Sequence, residues 1–262
     1  MNFALNTARR NGMSLIMGLH PHSRLGHIEA IEGADILERK LQLTSNNMAN
    51  ASTIGFKKQS MTFEEYLLPQ VDGTKRTAKG EVVRSDMSLG VMKQTNNPLD
   101  FALEGDGFFA VQTPQGVRYT RAGNFTLDSQ KQLVTQEGYP VLGGGAPVIL
   151  DDTTGKGVWL SKDGRFWVDE SDVGQLDVVN FKNPQALERI GGNLYAATAG
   201  SGQATPADTL IKQGFIEGSN VNPVEEMVNL IDIYRAYEAQ QKTMKSVDQM
   251  DAHAANDIGK VG

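Results

Sequence analysis

From Ala34 onward, Leu37, Leu41, Thr44, Met48 and Ala51 recur at alternating steps of three and four, while Asp35, Glu38, Arg39, Lys40 and Gln42 occupy the other side. That is heptad spacing, and it predicts a helix from about Ile28 to Ala49 with one apolar seam. Near the far end, Leu230, Ile233, Tyr237, Gln240, Met244 and Val247 form a second seam, widened by a line at Val224, Met227, Ile231 and Tyr234. Asn222 suits the cap of this helix, Pro223 its first position, and Glu225 and Glu226 complement the positive end of its dipole. A helix from Pro223 to about His253 measures roughly 46 Å, longer than a compact β domain requires of a packing helix, so the excess points towards other helices.

Between the seams the pattern changes to period two. Twenty of the 28 glycines fall between Gly80 and Gly218, and none between Ala34 and Ile54 or between Ser219 and Ile258. Because glycine supplies turns and interrupts helices, the ends are expected to be helical and the middle β. Phe109 and Val111 lead into Thr113-Pro114-Gln115-Gly116, and Val117 and Tyr119 continue beyond it, which predicts a hairpin. Two further hairpins are expected: Val158-Trp159-Leu160 with Phe166-Trp167-Val168 across Lys162-Asp163-Gly164, and Phe125–Leu127 with Leu133-Val134 across Asp128–Lys131. About ten short strands between Val91 and Phe215 have the spacing of an antiparallel sandwich or barrel. The fold class is therefore α+β, with N- and C-terminal helices and a central antiparallel β-rich domain. The expected order is a leader over 1–26, an N-terminal assembly helix over 27–56, an extended linker over 57–90, the β domain over 91–217 and a C-terminal assembly helix over 218–262.

The leader imitates a secretory signal, since Arg9 and Arg10 precede the apolar stretch Met13 to Leu19. That stretch is short, runs into His20-Pro21-His22 and lacks a small-x-small cleavage pattern, so the segment reads as disordered or as a misassigned start, with Met13 and Met17 as alternatives. The chain has 262 residues and no cysteine, which removes disulfides, thiolate metal sites and cysteine nucleophiles. A net charge of −6 has the wrong sign for tracking phosphate and speaks against nucleic acid and anionic membrane as partners. No nucleophile elbow, zincin helix, Walker loop or dinucleotide fingerprint occurs, and Gly143-Gly144-Gly145 lacks the lysine of a phosphate cradle. His20, His22 and His27 make a poor metal set without a fourth ligand. Asp151, Asp152, Thr153 and Gly155 resemble a calcium loop only until its twelfth position, which is Lys162. No catalytic, cofactor-binding or metal-binding residue is assigned, and no enzyme activity is expected. The competing reading is a β-rich carbohydrate-binding or hydrolytic domain in which Trp159 and Trp167 stack on a sugar, although a cross-strand packing pair is the simpler account of those two rings.

Four blocks carry a family resemblance. Asn46-Asn47-Met48-Ala49-Asn50, followed by Thr53-Ile54-Gly55-Phe56-Lys57, resembles the asparagine-rich N-terminal signature of the bacterial flagellar axial proteins, which build rod and hook. The runs Asn97 to Phe109 and Tyr119 to Leu127 are similar to the same family's core motif and adjacent hairpin. Gly218-Ser219-Asn220-Val221-Asn222-Pro223-Val224-Glu225-Glu226-Met227, with Arg235-Ala236-Tyr237-Glu238 downstream, is similar to its C-terminal helix signature. Pro223, Gln240-Gln241-Lys242 and Asn256 to Lys260 look more like the proximal, F-type rod component than the distal one. The resemblance implies a structural subunit of the periplasm-spanning rod of the flagellar basal body, exported unfolded through the type III apparatus without a cleaved signal, its terminal helices forming an axial, coiled-coil-like part with those of neighbours and its β domain an outer layer. Its partners would be further copies of itself and other rod and hook proteins. The expected assembly interface comprises Leu37, Leu41, Asn46, Asn47, Met48, Asn50, Gly55, Phe56, Asn220, Asn222, Leu230, Ile233, Tyr237 and Met244.

Overall fold

The computed structural model describes residues 31–69, 75–150, 158–161, 164–168 and 171–259. The expected leader, the three N-terminal histidines and the aspartates 151 and 152 with Lys162 lie outside the described residues. The chain forms two compact units, one comprising Met1–Ser45 with Val224–Gly262, the other Asn46–Pro223.

In the first unit, α1 occupies residues 31–49, its last turns running into the second unit, and α2 is Pro223–Gly259. Residue periodicity selects the faces. Leu37, Leu41 and Met48 are half-buried and Thr44 is buried, whereas Asp35, Glu38 and Arg39 face solvent, with an exposed Asp35–Arg39 ion pair of 2.9 Å one turn apart. On α2 the line Leu230, Ile233, Tyr237, Gln240, Met244, Val247 is half-buried along its length. The Gln240 amide stands 3.4 Å from where a Cβ on Gly33 would be, so the two helices touch there. With 37 residues, α2 is roughly 56 Å long, extending beyond the expected end at His253.

The second unit is antiparallel β. Strands β1 (Gln59–Pro69) and β2 (Lys75–Ser85) form a two-stranded ribbon in continuous register from Gln59↔Ser85 to Pro69↔Lys75. Within the stretch 57–90, expected as an extended linker, residues 59–69 and 75–85 are thus paired strands. Polar and apolar residues are mixed along both strands: Met61 stands opposite Val83 and Phe63 opposite Glu81, an Arg84–Glu64 ion pair crosses the ribbon, and Phe63 and Val83 are exposed. Such a pattern suits a ribbon wet on both sides.

In place of one sandwich or barrel, a six-stranded sheet carries several smaller ones. Its order is β15-β16-β6-β5-β14-β17, where β5 is Phe108–Thr113, β6 Gly116–Thr120, β14 Val178–Asn180, β15 Glu188–Gly191, β16 Leu194–Ala196 and β17 Thr205–Pro206. The β5–β6 turn is Pro114-Gln115, as expected, with Thr113 opposite Gly116. Beside it lie β4 (Phe101–Glu104) with β18 (Leu210–Gln213), β3 (Met92–Gln94) with β19 (Phe215–Glu217), and β7 (Thr126–Leu127) with β8 (Leu133–Val134). A ribbon of β9 (Leu142–Gly143) and β10 (Ala146–Pro147) and a sheet of β11 (Val158–Leu160), β12 (Arg165–Val168) and β13 (Ser171–Gln175) complete it. The main core gathers Phe101, Leu103, Phe109, Val111, Phe125 and Phe166, with edge-on aromatic pairs Phe109–Phe125 at 5.2 Å and Phe101–Phe166 at 5.6 Å. A second cluster joins Phe108, Phe181, Leu187 and Tyr195.

Trp159 and Trp167 stand directly opposite one another on β11 and β12, yet 71% and 38% of their surfaces are exposed. The two are thus cross-strand neighbours, as expected, on a part of the sheet that is open to solvent.

Candidate functional site: a buried latch and an exposed helical line

Within the second unit, the N-terminal block is held by residues far along the chain. Asn47 pairs with the backbone of Gln59 as a strand would: its Nδ2 donates to the Gln59 carbonyl at 2.8 Å and its Oδ1 accepts from the Gln59 N–H at 2.9 Å. Asn46 and Asn50 act locally, the Asn50 amide donating to the Asn46 carbonyl at 2.8 Å and accepting from the Thr53 hydroxyl at 3.2 Å. The chain then turns through Gly55 at φ 68°, where a Cβ would stand 2.4 Å from the Ala122 nitrogen, so both conformation and space require glycine. Gly55 N–H donates to the Glu217 carbonyl at 2.8 Å, and Asn193 Nδ2 donates to the Ile54 carbonyl at 2.9 Å. Phe56 is fully buried, with the Arg189 guanidinium 4.0 Å above its ring.

Lys57 is fully buried as well. Its ammonium donates to Glu217 Oε1 at 2.6 Å and to the Ser88 carbonyl at 2.5 Å. Glu217, 1% exposed, also accepts from the Gly90 N–H at 2.9 Å and faces Arg121 at 3.4 Å. Arg121 in turn donates to the Gly105 carbonyl at 2.8 Å and lies 5.3 Å from the Phe108 ring centre. One carboxylate therefore serves two buried cations. Burial pushes the Lys57 and Arg121 pKa values down from their ordinary ranges, and the Glu217 carboxylate opposes that shift in both. Asn220 closes the arrangement, accepting from Lys58 N–H at 2.7 Å while its amide donates to the Asp86 carbonyl at 2.9 Å and Ser88 Oγ at 3.0 Å.

Adjacent to the latch is a cleft of about 300 Å³ lined by Thr53, Ile54, Asn124, Phe125 and Asn193, with Glu137 as the ionisable side chain in its wall. One carboxylate with neither a second acid nor a base offers no acid–base pair. Among the described residues no group of three metal-ligating side chains converges.

In the helical unit the second apolar line of α2 is uncovered. Val224, Met227, Val228, Ile231 and Tyr234 are between 48% and 69% exposed.

Two family models match the chain: the flagellar basal body rod FlgEFG protein C-terminal model over residues 212–257 and the flagellar hook protein FlgE/F/G D1 domain model over 102–168. The flagellar basal-body rod protein FlgG of Buchnera aphidicola subsp. Schizaphis graminum is 36% identical over 250 residues, covering 83% of this chain and 94% of the relative. FlgG of Caulobacter vibrioides is 34% identical over 84% of this chain and 94% of its own length. FlgF of the same bacterium is 36% identical, with coverage of 86% and 94%. The chain belongs to the flagellar basal-body rod protein family. It is a structural, non-enzymatic subunit of the basal-body rod, and it assembles with other rod and hook proteins.

The structure separates the expected interface residues of this rod subunit into groups. Asn47, Gly55, Phe56 and Asn220 direct their contacts into the latch of their own chain, and Asn46 and Asn50 shape the end of α1. Leu37, Leu41, Met48, Leu230, Ile233, Tyr237 and Met244 lie on the half-covered seams, and Asn222 is exposed immediately before α2. Sequence reasoning missed Arg189, Asn193 and Glu217, and read Lys57 and Arg121 only as parts of motifs. A charged residue reads as solvated until its partner is known, and the partner of Lys57 is 160 positions away.

Proposed function

We propose that this rod subunit is a proximal, F-type component that joins its neighbours through the exposed line of α2, the paired terminal helices forming the axial, coiled-coil-like part. The carrying observation is the two-sidedness of α2: one apolar line is half-covered within the chain, and the line through Val224, Val228 and Ile231 is bare. In a subunit of an assembly, such a line is what neighbouring helices bury. Support for the F type comes from Pro223, Gln240-Gln241-Lys242 and Asn256 to Lys260; the distal, G-type component is the second reading, favoured by relatives of that name at equal identity. Among the described residues no helix is long and apolar enough to cross a membrane, which accords with delivery through the type III export apparatus to the periplasm-spanning rod. The leader over 1–26 is proposed to lie outside the assembling part.

The test substitutes Ile231→Asp, which sets a carboxylate on the bare line. Transferring an ionised carboxylate from water into a packed helical interface costs at least several kcal/mol unless paired, and the cost recurs in every subunit. The variant is expected to be exported, to melt like the parent and to yield non-motile cells without complete rods. Motile cells with complete rods would reject the interface. Gold labelling of purified basal bodies distinguishes the two types, with label expected at the proximal part of the rod.

A further inference from the structure

We propose that the latch is a completion lock, in which Glu217 and Asn220 fix the N-terminal segment 53–59 only after the far end of the β unit has formed, and so gate the pairing of α1 with α2. The segment's anchors are drawn from late in the chain. Gly55 N–H meets the Glu217 carbonyl, Lys58 N–H meets Asn220 Oδ1, Phe56 O accepts from Asn220 N–H at 3.4 Å, Ile54 O accepts from Asn193, and Phe56 lies under Arg189. Lys57 is the decisive member, because a fully buried ammonium requires a counter-charge, and Glu217 supplies it. Until residue 217 arrives, burying Lys57 is opposed by its own desolvation, and the segment has no position of low energy. Once residue 217 arrives, two further bonds close the same point: Gly90 N–H donates to Glu217 Oε1 and Gly218 N–H donates to the Val91 carbonyl at 2.9 Å. There is no room for looseness at this point, since a Cβ on Gly90 would stand 2.0 Å from the Gly218 carbonyl oxygen.

The lock brings together residues close to where the chain enters the β unit after α1 and where it leaves for α2. Asn220 is three residues before Pro223 and bonds directly to Lys58, nine residues after α1. With the two ends of the unit tied, the helices that flank them are held at high effective concentration. With the lock open they are separate arms of a long loop whose closure carries an entropic cost. An incomplete or partly folded chain therefore does not present a paired helical unit, which delays helix pairing until the subunit is whole.

The test uses the full chain, whose lack of cysteine allows a Gly33→Cys, Gln240→Cys pair to report helix pairing by disulfide formation. The lock is opened with Asn220→Ala and, more gently, with Asn220→Asp, which keeps the acceptor for Lys58 N–H and loses the donors to Asp86 and Ser88. In Asn220→Ala, hydrogen exchange at the Gly55 and Lys58 amides is expected to accelerate at least about tenfold while the Ala110 and Leu133 amides keep their rates, and disulfide formation is expected to slow about tenfold. Asn220→Asp is expected to fall between this variant and the parent in both readouts. Unchanged exchange at Gly55 and Lys58 would overturn the proposal. So would disulfide formation at the parent rate in a variant whose 53–59 amides have opened, or acceleration of every amide together in Asn220→Asp, which would make Asn220 a general stability residue. None of these readouts depends on rod assembly, so failure here leaves the interface on α2 standing.

Discussion

At the scale of single residues, the asymmetry between Lys57 and Glu217 decides what the latch tolerates. Glu217 satisfies two buried cations and the Gly90 N–H, so its loss leaves Lys57 and Arg121 without a counter-charge in the interior. Removing the shared partner of buried ions costs about 3–5 kcal/mol, so Glu217→Ala is expected to lower the unfolding free energy by about that amount in urea titration. Lys57→Met keeps the Glu217–Arg121 pair and replaces a desolvated ammonium by an apolar chain of similar length, and it is expected to cost at least about 2 kcal/mol less. Equal costs would mean that the cluster is not organised around the carboxylate. The depressed pKa of Lys57 adds a pH signature. Because the folded state releases this proton below the 10.5 of a free lysine, the unfolded state binds more protons in the window just under that value. The parent is therefore expected to gain stability relative to Lys57→Met as pH rises towards 10.5, and a flat difference would contradict the burial of a charged Lys57.

At the scale of elements, adjacent residues on α2 separate two roles. Leu230 lies on the half-covered line and Ile231 is 51% exposed. Leu230→Asp is expected to raise hydrogen exchange along both helices of the isolated subunit, losing about half of the ~1.5–3 kcal/mol of a fully buried leucine, whereas Ile231→Asp leaves that exchange unchanged. If both substitutions open the monomer equally, the two lines are not distinct. The helices were legible in sequence because heptad spacing persists for many turns, and the β5–β6 hairpin was legible because Pro114 and Gly116 mark its turn. The ribbon of β1 and β2 was not, since Lys75, Arg76 and Lys79 beside Asp72-Gly73 look like a charged loop, and the runs Glu64-Glu65, Tyr66-Leu67-Leu68 and Val82-Val83 break the period-two alternation that would mark a strand. The latch was the least legible feature. Its motifs were visible as strings, but nothing in a string pairs Lys57 with Glu217 or Asn47 with Gln59, and of the asparagines expected at the interface Asn47, Asn50 and Asn220 bond with their amides to the backbone of their own chain.

At the scale of the whole molecule, the two units carry different features: the β unit buries the charges that we propose lock its own ends, and the helical unit exposes one apolar line of α2 that we propose other subunits bury. A chain with a net charge of −6 and no cysteine suits this task, since like-charged subunits stay apart until apolar lines meet and no thiol can form stray cross-links. The absence of native thiols also supplies the most direct measurement. Ile231→Cys, a milder change than the aspartate, places the only thiol of the molecule on the bare line. In the free subunit it is expected to react readily with a water-soluble maleimide, and in purified basal bodies it is expected to be protected while a cysteine in place of exposed Asp35 still reacts. Equal labelling of Ile231→Cys in the free subunit and in the assembled rod would contradict the claim that this line is where the rod is built.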